Sequence, residues 1–124
     1  NEKFYNNKIF HRVVPNFVIQ TGCPRGDGYG SQDYTIRSEL PQKYFDSEGY
    51  IGMASAGNHT ESTQWFITHS PAPHLNGNYT IFGKVVEGMD VILKMKSAPT
   101  GAGGPFPSDV PQTPIVINSA IVIK

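Results

Sequence analysis

Ile9-Phe10-His11-Arg12-Val13-Val14-Pro15-Asn16-Phe17-Val18-Ile19-Gln20-Thr21 consists of two runs of β-forming residues separated by Pro-Asn, a turn signal. Residues 9–14 and 17–21 therefore read as neighbouring antiparallel strands. Side chains alternate faces along a strand. Phe10, Arg12 and Val14 then share one face, with His11 and Val13 on the other, and Val18 shares a face with Gln20. A cation set among apolar neighbours on the outer face of a strand is unusual for a plainly solvated surface.

Working outward, the same turn-rich pattern continues. Residues 22–30 hold Gly22, Pro24, Gly26, Gly28 and Gly30 and read as a loop. Residues 31–48 are mixed and polar, and no regular element is assigned to them. Short strands are expected at 50–54 and 64–68 and a longer one at 79–86, separated by polar loops at 56–62 and 70–78. Met89, Ile92 and Leu93 fall at helical spacing, with Lys94 and Lys96 near the end, where cations suit the helix dipole. This predicts a helix at 88–96. Residues 99–114, with five prolines and three glycines, read as a long surface loop. Residues 115–123 read as a strand apolar enough to be buried on both faces. About six short strands with one helix indicate a mainly β domain, an antiparallel sandwich or barrel.

Composition narrows the function. The 13 glycines and 10 prolines among 124 residues exceed the roughly 12% that these two types hold in an average chain, without any repeat. Ten Lys and Arg balance ten Asp and Glu, and the pI is near 7.1, so the chain lacks the basic footprint of a nucleic-acid or anionic-membrane binder. No apolar run approaches the roughly 18 residues of a membrane span. The first residues show no signal-peptide pattern. A single cysteine, Cys23, excludes an internal disulfide.

In the 64–68 strand, Gln64, Phe66 and Thr68 oppose Trp65 and Ile67. If Trp65 and Ile67 fill the core, Gln64 and Phe66 point outward together. With Arg12, Val18 and Gln20 they make a shallow apolar groove carrying one guanidinium and two amides, a surface suited to a peptide. The alternative is that each is an ordinary half-buried strand residue. Other candidates are weaker. His11, His59, His69 and His74 lack metal-ligand spacing. Cys23 lies in a glycine-rich loop with no helix N-terminus to activate it. The sequons Asn58-His59-Thr60 and Asn78-Tyr79-Thr80 matter only in a secreted eukaryotic chain. Glycines 22–30 lack the Lys-Ser/Thr of a phosphate loop.

Phe10-His11-Arg12-Val13-Val14-Pro15-Asn16-Phe17-Val18-Ile19-Gln20-Thr21-Gly22 resembles the signature of the cyclophilins, the peptidyl-prolyl isomerase family. Three further blocks agree in order and spacing: Gly52-Met53-Ala54-Ser55-Ala56-Gly57, Thr63-Gln64-Trp65-Phe66-Ile67, and Leu75-Asn76-Gly77 running into Ile81-Phe82-Gly83-Lys84-Val85-Val86-Glu87-Gly88-Met89. The resemblance implies the family's closed antiparallel barrel of eight strands, about six of them present here, with the substrate groove on its outer face. It implies an enzyme that turns X–Pro peptide bonds and assists protein folding, without cofactor or metal. A non-catalytic proline-peptide binding module of the same fold, or a purely structural domain, is the competing expectation.

By the same resemblance, Arg12 is the catalytic residue. Phe17, Val18, Phe66 and Leu75 line the proline pocket, with Tyr79 at its rim. Gln20 and Gln64 hold the substrate backbone, together with the main chain around Ala54 and Ser55. Ala56, Thr63 and the Gly28-Tyr29-Gly30 turn flank a second pocket. The chain departs from well-known members at Val18 (commonly Met), Cys23 (Asp), Ser55 (Asn), His74 (Trp) and Tyr79 (His). His74 is a contact for inhibitors, and loss of the indole implies weak cyclosporin binding. The partners implied are proline-containing peptides and unfolded or partly folded proteins, with no nucleic acid, no membrane span and a monomeric state. The departures resemble bacterial members, which suggests a soluble protein of the bacterial cytoplasm or periplasm, with the compartment unassigned. A cyclophilin barrel has two more strands and a helix before the segment matching Asn1. Residues 1–124 are therefore expected to be one N-terminally incomplete isomerase domain.

Overall fold

The computed structural model describes residues 4–14, 17–26, 35, 45, 47–55, 62–75, 79–103 and 106–123. The strands are β1 (Arg12–Val13), β2 (Val18–Thr21), β3 (Tyr50–Met53), β4 (Trp65–Thr68) and β5 (Ile81–Lys84). They form a five-stranded antiparallel sheet in the order β1-β2-β4-β3-β5. A 3-10 turn at Pro73–Leu75 precedes β5, and one helix, α1 (Met89–Met95), follows it. The helix agrees with the expected 88–96 to within a residue at each end. The chain is mainly β and antiparallel as expected, and among the described strands no closed barrel is traced.

Register decides which side chains meet. Val13, Ile19, Ile67 and Ile51 stand opposite one another across four strands and make one aliphatic row. Val13, Ile19 and Ile67 are buried with Ile92 of α1, and Met89 and Ile51 pack at the edge of that cluster. The helix therefore covers this face, and its 3.6-residue period presents Met89 and Ile92 to the sheet. The neighbouring row is Arg12, Gln20, Phe66 and Gly52, which period-2 alternation turns to the opposite face. On that face a second cluster forms from Val18, Phe45, Phe66, Ala72, Leu75 and Ile81. Phe10, expected beside Arg12, packs instead with Val13, because the regular strand begins only at Arg12.

A β-bulge separates the two rows at the far edge. Ile51 pairs with Gly83 but Gly52 pairs with Ile81, so Phe82 is the extra residue. The bulge turns Ile81 into the second cluster and leaves Phe82 half exposed.

Two expectations fail. Part of the loop assigned to 99–114 is a hairpin of β6 (Thr100–Gly103) and β7 (Phe106–Pro111). Its prolines are tolerated because a two-stranded ribbon consists only of edges, where a missing N–H costs little. The strand expected at 115–123 is largely absent. Residues 115–117 do pair with residues 7–10, through Asn7 N–H to Ile117 O (2.7 Å), Phe10 N–H to Ile115 O (2.9 Å) and Ile117 N–H to Lys8 O (2.8 Å). Beyond them Ile121, Val122 and Ile123 are 81%, 82% and 92% exposed. Apolar character alone predicted burial there, and no described strand lies alongside to provide it.

Gly22 closes β2 at φ +93°, and a Cβ at this position would collide with the Thr63 carbonyl oxygen. Thr63 Oγ1 donates to Gly22 O at 2.8 Å, and Tyr5 donates its hydroxyl to Thr63 O at 2.8 Å. The approach fixes the start of β4 against the end of β2. Gly22→Ala combines a left-handed backbone with a backbone clash and should cost at least about 2 kcal/mol in a urea titration. An unchanged midpoint would show that this approach is not a constraint.

Candidate active site

The groove is built on the Arg12–Gln20–Phe66–Gly52 row. Arg12 is half-buried at the edge of the sheet, and its Nη1 donates to Gln20 Oε1 at 3.2 Å. Gln20 in turn donates from Nε2 to Gln64 Oε1 at 3.0 Å. Because Gln20 faces Arg12 directly across the β1–β2 ladder, the sheet itself places the guanidinium. A guanidinium offers five N–H donors. One bond to Gln20 orients the group, and most of its fork remains available to a ligand.

Phe66 is buried and forms the apolar floor. Its ring meets Phe45 edge-on at 5.7 Å and Tyr79 at 5.8 Å, tilted by 50°. The ring lies directly over β3, where a Cβ on Gly52 would fall 2.6 Å from Phe66 Cζ. Only glycine admits that approach. Leu75 closes the groove from the 3-10 turn, held by its N–H to Ala72 O (3.0 Å), while Ala72 N–H donates to Phe45 O (2.8 Å). At the end of β3, Ala54 N–H donates to Gln64 O at 3.0 Å, which sets the Ala54–Ser55 main chain beside the amides.

Together these elements enclose a groove of about 410 Å³, lined by Arg12, Phe17, Val18, Gln20, Ala54, Ser55, Phe66, Leu75 and Tyr79. All nine were candidate site residues in the sequence. Gln64 stands behind the lining and holds Gln20. Thr63, expected at a second pocket, is buried and bonded to Gly22 O. His74 occupies the 3-10 turn next to Leu75, and its side chain lies outside the description. Ala56 and the Gly28–Gly30 turn also lie outside the described residues.

Two residues escaped sequence reasoning. Phe45 is fully buried behind Phe66 but comes from a segment without periodicity. Gly52 left one signal, a glycine inside a strand, which marks close backbone approach. Chemically, the groove joins an apolar floor to one positive charge and the Gln20 amide, with the Gln64 amide behind it, and among the described residues no carboxylate lines it. Among the described residues no three His, Cys, Asp or Glu side chains gather to hold a metal ion, and no helix is long and apolar enough to cross a membrane.

Residues 1–122 match the family described as cyclophilin type peptidyl-prolyl cis-trans isomerase/CLD. The chain belongs to that family. Peptidyl-prolyl cis-trans isomerase B of Bacillus subtilis is 47% identical over 98 residues, covering 78% of this chain and 68% of that protein. The Schizosaccharomyces pombe isomerase ppi1 is 41% identical over 129 residues, covering 98% and 78%. The isomerase-like 2 protein of Cryptococcus neoformans is 37% identical over 126 residues, which are 97% of this chain and 21% of that one. The relatives thus include bacterial and fungal proteins. Among solved structures, a Cryptosporidium parvum cyclophilin-type isomerase crystallised with the dipeptide Ala-Pro superimposes with a TM-score of 0.89. It is 33% identical, over 98% of this chain and 77% of that chain. The protein is thus a peptidyl-prolyl cis-trans isomerase by family, and the groove is its candidate active site.

Adding one methyl at Gly52 tests how the floor is held. Gly52→Ala should displace the Phe66 ring, lower stability by about 1–3 kcal/mol and reduce turnover of an Ala-Pro peptide. If both quantities match the parent protein, the ring is not seated against β3.

Proposed function

We propose that the groove catalyses rotation about X–Pro bonds with Arg12 as the catalytic group. The observation that carries this reading is the joining, in one groove, of an oriented guanidinium to an apolar floor of Phe66, Leu75 and Val18. Rotation about the amide faces a barrier of about 18–20 kcal/mol. Unaided isomerisation takes tens to hundreds of seconds. Reaching milliseconds requires about four to five powers of ten, or roughly 6–7 kcal/mol.

No bond breaks in this reaction, so neither nucleophile nor metal is required. In the twisted amide the prolyl nitrogen becomes pyramidal and regains its lone pair. Arg12 donates a hydrogen bond to that nitrogen, an interaction that the planar ground state cannot make. One preorganised donor supplies about 3–4 kcal/mol. The remainder comes from an apolar pocket that holds the ring and desolvates the amide. Phe17, Val18, Phe66 and Leu75 hold the ring, with Tyr79 at the rim. Gln20, Gln64 and the Ala54–Ser55 main chain hold the acyl side while it turns.

Several finer assignments accompany this reading. The substrates are proline-containing segments of unfolded or partly folded proteins. His74 leaves the groove a weak site for cyclosporin. The five-stranded sheet is part of a closed antiparallel barrel, supported by TM-scores of 0.85 and 0.89 to the cyclophilin structures and by the return of residues 115–117 to residues 7–10.

Arg12→Ala and Arg12→Lys should each lower kcat/KM on an Ala-Pro peptide by about a hundredfold or more, with folding intact. Lysine keeps the charge but loses the planar fork. Normal turnover by either variant removes Arg12 from the mechanism. Peptide binding without any rate enhancement in the parent protein would establish a binding module instead.

A further inference from the structure

β4 ends at Thr68, and the next residue, His69, is buried although it stands outside the groove lining. It makes two bonds to the connection that carries the chain from β1 to β2. Its backbone N–H donates to Phe17 O at 3.0 Å, and its ring Nε2 lies 2.9 Å from Val14 O. Val14 and Phe17 sit on either side of that connection. They are themselves joined by Phe17 N–H to Val14 O (3.2 Å), and Val14 N–H donates to Val18 O (2.9 Å). Phe17 and Val18 are two walls of the groove.

The Val14 carbonyl is purely an acceptor, so Nε2 must carry a proton to bond it. In the neutral ring Nδ1 is then the bare nitrogen. Nδ1 is buried and has no hydrogen-bond partner among the described residues. A second proton there would create a buried cation, which burial and the nearby Lys96 both disfavour.

We propose that His69 is a positioning residue of the isomerase site, one that as a neutral imidazole ties the β1–β2 connection to the end of β4 and so holds Phe17 and Val18 in place as the proline-ring wall. The proposal rests on the isomerase reading of the groove. Among the described residues, Lys96 is the charged group acting on the ring. The 14–17 connection and β2 present Val14, Phe17 and Val18 to it, none of which titrates. Burial pushes the His69 pKa below its usual 6.5, the Val14 bond opposes that shift and Lys96 adds to it. With the folded pKa lowered, the unfolded or undocked state binds the proton more readily. The docked arrangement is therefore fully stable above 6.5 and loses stability as pH falls from there through the folded pKa.

The test reads KM and kcat separately, together with the Kd of a blocked Ala-Pro peptide, between about pH 5 and 8. His69→Gln retains an N–H donor near the Nε2 position but does not titrate, whereas His69→Leu removes the donor. In the parent protein, KM and Kd should rise by roughly threefold or more on the acid side of 6.5 while kcat changes little. His69→Gln should bind within about twofold of the parent at neutral pH and lose the acid rise. His69→Leu should raise KM by roughly fivefold at neutral pH. An unaltered acid rise in His69→Gln, or unchanged affinity in a folded His69→Leu, overturns the proposal. If His69→Leu does not fold, the His69→Gln profile decides alone. Absence of turnover in the parent at neutral pH defeats the isomerase reading, and the Kd profile still judges His69.

Discussion

Everything in this molecule depends on strand register. The backbone ladder places Arg12, Gln20, Phe66 and Gly52 in one cross-strand row and Val13, Ile19, Ile67 and Ile51 in the next. Period-2 alternation sends the first row to the groove and the second to α1. A slip of one residue would exchange them, burying a guanidinium beneath Ile92 and exposing the aliphatic row. The cost of an unpaired buried charge is far larger than any local preference, so the core that holds the sheet together also specifies the site. Stability and function are fixed by the same hydrogen bonds.

Much of this was legible in advance because it is carried by alternation. Arg12, Val18, Gln20, Gln64 and Phe66 could be assigned to one outward set from the sequence alone, and the structure brings all five to the groove or directly behind it. What was not legible is what alternation does not encode. The bulge at Phe82 breaks the period, so nothing in a continuous strand from 79 to 86 shows that Ile81 turns toward the site. Phe45 reaches the back of Phe66 from a segment with no pattern of its own. The β6–β7 hairpin is hidden because proline and glycine signal turns in sequence yet are tolerated at edges. At 118–123 composition misled in the other direction, since apolar residues form a strand only where another strand receives them.

Gln20 shows how a neutral side chain can impose direction. Its carbonyl accepts from Arg12 and its amide nitrogen donates to Gln64. A cation on one side forces the amide's orientation, because the nitrogen cannot face a guanidinium. The reversal is then propagated to Gln64, whose oxygen must face Gln20. The polarity of the Arg12–Gln20–Gln64 series is therefore consistent with the one charge at the sheet edge.

The choice of amides at positions 20 and 64 also bears on catalysis. Glutamate at position 20 would fit the same space and would hold the guanidinium more strongly, often through two parallel bonds. That strength would be a disadvantage. A carboxylate would occupy more of the donor fork and neutralise the positive charge, so a prolyl nitrogen would meet an already satisfied ion pair. A neutral amide orients the group through one bond and leaves its field directed at the substrate. Among the described residues of the lining there is no carboxylate, and the same logic holds for them. A donor that must respond only when an amide nitrogen becomes basic has to be held in place without being satisfied, and in this sheet the Arg12–Gln20 pairing meets both requirements.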